Sequence, residues 1–160
     1  MQLSDYDQLN PVQRERLKGL EVHPEQQLHA GAIDSALYLL SSANREQIRG
    51  LVLLLDGEPC GFMLLQRGLR ASWSEPGAAT VSALQIDRRY QGRGLWRLCM
   101  QALPGWVHGV WPEVERLQLS VDPGNQAAIA CYCATGWHDT GNGYPARVGY
   151  ERRFTFLIGA

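Results

Sequence analysis

Lysine is nearly absent from this chain: of its 15 basic residues, only Lys18 is not an arginine. Arginine favours fixed, bidentate contacts to anions over the mobile point charge of an ammonium. An excess of either sign is missing too, since 16 acidic residues bring the formal net charge to −1, and no global field recruits nucleic acid. No run approaches the ~18 apolar residues of a membrane span. Met1 to Asp5 offer no basic region followed by an apolar core, the mark of a secretion signal. Paired C-x-x-C spacing is lacking as well. Cys60, Cys99, Cys131 and Cys133 read as buried thiols of a reducing compartment. On a helix Cys131 and Cys133 would point about 160° apart, which disfavours a metal. The expectation is a cytoplasmic protein with no metal, no nucleic-acid partner and no membrane partner. Its 160 residues suit a single domain, 1–160, whose core needs no disulfide.

What is present centres on Ser82 to Leu103. Val81 to Ile86 is a short apolar run fit for a buried strand, and a polar turn rich in arginine and glycine follows. Apolar residues then recur at Leu95, Leu98, Cys99, Ala102 and Trp106, which is helical spacing. Gly92 and Gly94 let backbone amides approach a ligand, and the helix beginning there aims its unpaired N–H groups at the same point. With Arg88, Arg89, Arg93 and Arg97 around the turn, a diphosphate is the expected guest. Neither ATP nor NAD is indicated: G-x-x-x-x-G-K-[ST] is absent, and the dinucleotide fingerprint lacks its third glycine.

The stretch L-Q-I-D-R-R-Y-Q-G-R-G-L-W-R-L-C-M resembles the fourth strand, pyrophosphate loop and third helix of the GCN5-related N-acetyltransferases (GNAT), whose loop reads [Q/R]-x-x-G-x-[G/A]. Gln91, Gly92, Arg93, Gly94, Leu95 and Trp96 fill that pattern, with Trp96 in place of the small residue; a second register, Arg89 to Gly94, starts the helix two residues earlier. Tryptophan at this position requires the indole to point away from the loop if cofactor binding is to stay strong. A helical backbone there loses no positive φ. A second motif, N-Q-A-A-I-A-C-Y-C-A-T-G-W from Asn125, is similar to the family's N-x-x-A-x-x-x-Y-x-x-x-G-[F/W]. The resemblance covers roughly residues 48 to 157. A shorter likeness, L-E-V-H-P-E-Q followed by I-D-S-A-L-Y, resembles the amino-terminal helices of the spermine/spermidine-type members.

The resemblance implies an α/β (α+β) domain with a mixed, mostly antiparallel sheet of six to seven strands and about four helices. It also implies acetyl-CoA as co-substrate. Loop residues Gln91 to Trp96, with Arg97, would hold the diphosphate; Leu84 and Ile86 would pair with the pantetheine arm; Asn125 would hydrogen-bond that arm or a water. Tyr132 falls on the tyrosine that protonates the departing sulfur. From the residues alone, Asn125 is a helix cap and Tyr132 a core aromatic.

Elsewhere, Asn10 to Leu20 reads as a helix capped by Asn10, and Asp34 to Leu40 as one capped by Asp34. Asp56-Gly57 between Leu51–Leu55 and Cys60–Leu65 signals a hairpin. Gly68 to Gly77 reads as a long turn, from the residues alone a solvent loop with one aromatic anchor; the resemblance implies that it abuts the acceptor site, which makes Trp73 and Glu75 candidates to touch an amine. Apolar parity slips between Val81/Ala83 and Leu84/Ile86, as in a strand buried on both faces or one carrying a β-bulge; the resemblance favours the bulge. Pro104 predicts that the third helix ends near Leu103 or kinks there, and His108 reads as a surface residue. Arg116 to Val121 alternates as a strand, Asn125 to Thr135 is helical with Gly136 as its stop, and Trp137–Thr140 and Val148–Ile158 close the sheet. No general base stands out among Asp87, Glu75, Glu115 and Glu151, and Gln85 cannot take a proton.

The expected function is transfer of an acetyl group from acetyl-CoA to a primary amine of a small molecule, a polyamine first, by direct attack. The alternatives are a coenzyme A-binding module with little turnover, or transfer to a peptide or protein amine. The expected assembly is a monomer or homodimer.

Overall fold

The computed structural model describes residues 1–24, 26–27, 31–68, 75–145 and 149–159, with backbone alone at 142–144. Seven strands form one sheet: β1 (Gln2–Asp5), β2 (Ile48–Leu55), β3 (Glu58–Arg67), β4 (Ala78–Ile86), β5 (Arg116–Val121), β6 (His138–Pro145) and β7 (Tyr150–Leu157). Their order is β1-β2-β3-β4-β5-β7-β6. Every neighbouring pair is antiparallel except β4 with β5. The described helices are α1 (Pro11–Leu17), α2 (Ile33–Ser41), α3 (Leu95–Val110) and α4 (Gln126–Ala134). This is the expected mixed, mostly antiparallel architecture.

The near-continuous apolar runs of β2 and β3 are explained by burial on both faces. Leu51, Leu53, Met63 and Leu65 pack with α3 and α4, while Ile48, Val52, Phe62 and Leu64 pack with α1 and α2. The hairpin joining the two strands turns at Asp56 and Gly57, both at positive φ (51° and 79°), which a tight primed turn requires.

Five local readings are corrected. β1 went unread because Gln-Leu-Ser-Asp is too short to display a period; it forms because β2 offers an edge, with Leu3 opposite Leu53. Helix α2 starts at Ile33 after Ala32, so Asp34 lies in its first turn rather than at its cap. Of the two readings at Pro104 the stop is overturned: helix α3 does not end near Leu103 but runs through Pro104 to Val110, because Leu103 and Val107 are both fully buried on its inner face. That burial, about 1.5–3 kcal/mol per large apolar side chain, outweighs the lost hydrogen bond. Cys133 is exposed and Cys131 partly so, whereas Cys60 and Cys99 are buried. Helix α1 is also shorter than read, closing at Leu17; its Asn10 cap is present, reinforced by a reciprocal bond from Gln13.

The parity slip in β4 is a bulge. Phe62 faces Gln85 and Leu64 faces Ser82, leaving Met63 opposite both Ala83 and Leu84. Ala83 sits at φ 54°. The inserted residue increases local twist, and it falls just beyond the stretch of β4 that pairs with β5, a parallel ladder confined to Ala78–Thr80 against Arg116–Gln118.

Candidate active site

Beyond Thr80 the diverging strands open a cleft of about 350 Å³. Leu84 and Ile86 line it from β4, Leu119 to Val121 from β5, and Gly92, Gly94, Leu95 and Trp96 from the turn and α3, while Asn125 comes from the N-cap of α4 and Tyr132 from within it. The two motifs, about 30 residues apart in sequence, thus converge at one seam of the sheet.

The phosphate end is built by backbone. Gly92 and Gly94 have φ of 78° and 73°, and a Cβ at either would meet no atom within 4 Å. Their conformation, not crowding, calls for glycine, and the space above them is open. Gly94 is the N-cap of α3 and accepts the first helical bond, from Leu98 N–H at 3.2 Å. The amides ahead of Leu98 have no intrahelical partner and no side-chain cap, so their N–H groups and the positive end of the helix dipole are open to an anion. Helix α3 starts at Leu95, as the Gln91-to-Trp96 register requires, and Trp96 has helical backbone. The turn is held from beneath: Gln91 Nε2 donates to Ile86 O at 2.8 Å and to Gln26 Oε1 at 3.0 Å.

The arginines divide. Arg89 is committed to Asp87 at 2.8 Å, and Arg88 to Glu21 at 3.1 Å. Arg93 lies over the Tyr90 ring at 5.2 Å. Arg93 and Arg97 are exposed and do not form the cleft wall.

Tyr132 is 5% exposed, packed against Trp137 and Phe154 at ring distances of 5.8 and 5.9 Å, yet it reaches the cleft. It is therefore both core aromatic and site residue. Burial, reinforced by the Cys131 and Cys99 thiols, pushes its phenol up from the ordinary value and keeps it protonated. Burial likewise raises Cys99 to about 12, so this thiol is no nucleophile. Trp96 turns its indole onto Tyr132 in an edge-to-face contact, 6.0 Å between centroids and 69° between planes, and forms part of the cleft wall. Asn125 does two things: its Oδ1 caps α4 by accepting from Ala128 N–H at 3.3 Å, and it borders the cleft.

The four carboxylates are separated by their partners. Asp87 is 1% exposed. Burial alone would raise its pKa, but bonds from the Arg89 side chain and from the Arg89 and Glu21 amides outweigh it and hold the carboxyl below its usual range. Glu75 bridges Arg116 at 2.6 Å and Arg153 at 3.0 Å. Glu115 is exposed and away from the cleft. Glu151 borders the cleft and accepts from Ser120 Oγ at 2.5 Å. Trp73 lies outside the described residues. Asp122, Tyr90 and Gln26 also reach the cleft and were missed in the sequence. Asp122 announced only a turn and Tyr90 only a loop, and Gln26 comes from a segment distant in the chain. Among the described residues no His, Cys, Asp or Glu cluster could hold a metal, and no helix is long and apolar enough to cross a membrane.

The family model described as "Acetyltransferase (GNAT) family" matches residues 12–137. The uncharacterized N-acetyltransferase YbbJ of Bacillus subtilis is 32% identical over 94 residues, 57% of this chain and 59% of that one. Aminoglycoside N(6')-acetyltransferase type 1 of Klebsiella pneumoniae is 29% identical over 110 residues, 65% of this chain and 54% of that one. The chain thus spans less than two thirds of the length of these relatives. Among solved structures, spermidine N-acetyltransferase from Vibrio cholerae in complex with CoA and spermine superposes with a TM-score of 0.73 at 15% identity, covering 98% of this chain and 95% of that one. That likeness is one of fold.

Proposed function

The chain belongs to the acetyltransferase (GNAT) family, and from that premise we propose that it transfers an acetyl group from acetyl-CoA to a primary amine of a small molecule. One observation carries the reading: the open β4/β5 seam, the unpartnered amides at the start of α3 and the Tyr132 phenol all meet in a single cleft. Acetyl-CoA supplies a thioester, whose carbonyl carbon accepts the amine. The amides following Gly94 hold its diphosphate, with Arg93 and Arg97 close enough in sequence to add charge from outside. The β4 edge at Leu84 and Ile86, no longer paired with β5, offers backbone donors and acceptors to the pantetheine amides. Asn125 holds the same arm, its second carboxamide group being free of the cap. Tyr132, kept protonated by burial, gives its proton to the departing sulfur.

The acceptor is a cation. Among the described residues that border the cleft, Asp122 and Glu151 are charged and both are acidic. A polyamine is the first candidate, supported by the fold shared with a spermidine acetyltransferase. An aminoglycoside is the second, supported by the Klebsiella relative.

The test is thiol release from acetyl-CoA with spermidine, spermine, amino acids, aminoglycosides or short peptides, against a control without amine. Turnover with one amine class is expected and names the acceptor. Tyr132→Phe is then expected to lower kcat by about 10²- to 10⁴-fold while leaving coenzyme A affinity within about twofold. Coenzyme A binding without any amine-dependent release would favour the binding-module alternative.

A further inference from the structure

Building on the acetyltransferase reading, we infer that Glu151, delivered by β7 and oriented by Ser120, is the group that deprotonates the acceptor amine. The strand register is the starting point. Phe154 packs with α3 and α4, so Glu151, three residues earlier, projects to the opposite face, that of α1 and α2. On β5, Leu119 and Val121 join the α3/α4 core, and Ser120 between them also points to the opposite face. Ser120 pairs with Arg153 across the ladder, and the diagonal from Ser120 to Glu151 is short enough for the longer side chain to bridge. The bridge forms: Ser120 Oγ donates to Glu151 Oε2 at 2.5 Å, leaving Oε1 unengaged by that bond.

The neighbouring charges are already taken. Arg152 pairs with Asp139, and Arg153 with Glu75. Asp122, the other acid at the cleft, spends Oδ1 on the Gly124 amide at 2.7 Å. Of the four carboxylates that the sequence offers as a base, Glu151 alone borders the cleft. The strand neighbours at the seam cannot serve, because Gln85 and Ser120 are not bases at neutral pH.

The seam therefore has a proton acceptor on one face and a proton donor, Tyr132, on the other. Glu151 takes one proton from the acceptor's ammonium and passes it to solvent. The freed nitrogen lone pair forms the C–N bond at the thioester carbonyl carbon while the C–S bond breaks, and the Tyr132 proton goes to sulfur. The second proton leaving nitrogen restores the phenol. In sum, ammonium and thioester give amide, thiol and one proton in solution.

Glu151→Gln tests this, because the carboxamide oxygen still accepts from Ser120 and the fold is kept. With the amine that the native chain acetylates, chosen from spermidine and kanamycin first, kcat/KM is expected to fall by about 10²-fold near neutral pH. Coenzyme A affinity should stay unchanged, and the deficit should shrink towards pH about 10, where alkyl amines deprotonate unaided. A loss below about tenfold, or one that does not shrink as pH rises, overturns the assignment to Glu151 alone. Absence of amine-dependent thiol release from the native chain overturns the acetyltransferase reading and this inference with it.

Discussion

Along one edge β4 pairs with β3 from Arg67↔Ala79 to Gly61↔Ile86, whereas along the other it pairs with β5 only from Ala78 to Thr80. Both seams start from the same end of the same strand, and both neighbours are well buried. The bulge at Ala83, opposite Met63 and at positive φ, lies just beyond the last β4–β5 pair at Thr80, and its added twist is the local feature to which the divergence from β5 is ascribed, while β3 stays paired through Ile86. One seam therefore holds the sheet together and the other forgoes backbone pairing to expose donors and acceptors. Unpaired strand edges inside a protein are costly unless water or a ligand satisfies them. The cleft at the second seam leaves the unpaired part of β4 within reach of water or a ligand.

Removing the cause should equalise the two seams. Without Ala83, Val81, Leu84 and Ile86 fall into strict alternation, all on the α3/α4 face where they already pack. Deletion of Ala83 is expected to leave a folded chain in which β4 and β5 pair further along their length. Coenzyme A affinity should then drop by about thirtyfold, the equivalent of two backbone hydrogen bonds at about 1 kcal/mol each. Calorimetric titration with coenzyme A measures it; unchanged affinity would mean that the bulge does not open the cleft.

The closed seam is clasped at its end by Asp87, whose amide donates to Cys60 O at 2.8 Å and whose carboxylate takes the Glu21 and Arg89 amides and the Arg89 guanidinium. Asp87→Ala removes the buried carboxylate that accepts the Glu21 and Arg89 amides and should cost about 2–3 kcal/mol in chemical denaturation. The pH dependence has a definite sign. The folded pKa is lowered, so the contribution is complete above the unfolded value of about 3.9 and vanishes as pH falls through the folded value. The gap between the native chain and the variant should therefore begin to narrow below about pH 4 and close as pH falls through the lowered folded value, and a constant gap would show that the loss is steric.

Much of this was legible because the relevant signals are local. Gly92 and Gly94 announce backbone geometry, Asp56-Gly57 announces a turn, and the slip between Val81 and Leu84 announces the bulge. The fate of Glu151 was not legible, since its role depends on which strand β7 joins and on a diagonal contact with Ser120, 31 residues away. Helix α3 was underestimated at Pro104 for the same reason: local propensity argued for a stop, and burial of Leu103 and Val107 overrode it. β1 is the extreme case, a strand that exists only through the edge it completes.

The smallest change separates strain from shape at the bulge itself. Ala83 in the left-handed region costs about 1–2 kcal/mol relative to ordinary backbone, and glycine there removes most of that cost. Glycine also gives the unfolded chain more freedom, worth about 0.5–1 kcal/mol in the opposite direction. Ala83→Gly should therefore stabilise the chain by about 0.5 kcal/mol, or raise its Tm by about 1–2 °C, with coenzyme A affinity unchanged because the bulge is retained. Differential scanning calorimetry resolves a shift of that size. A fall in Tm instead would show that the Ala83 methyl, which packs against the α1/α2 cluster, contributes more than its backbone strain costs, and that the bulge is held open by packing as well as by register.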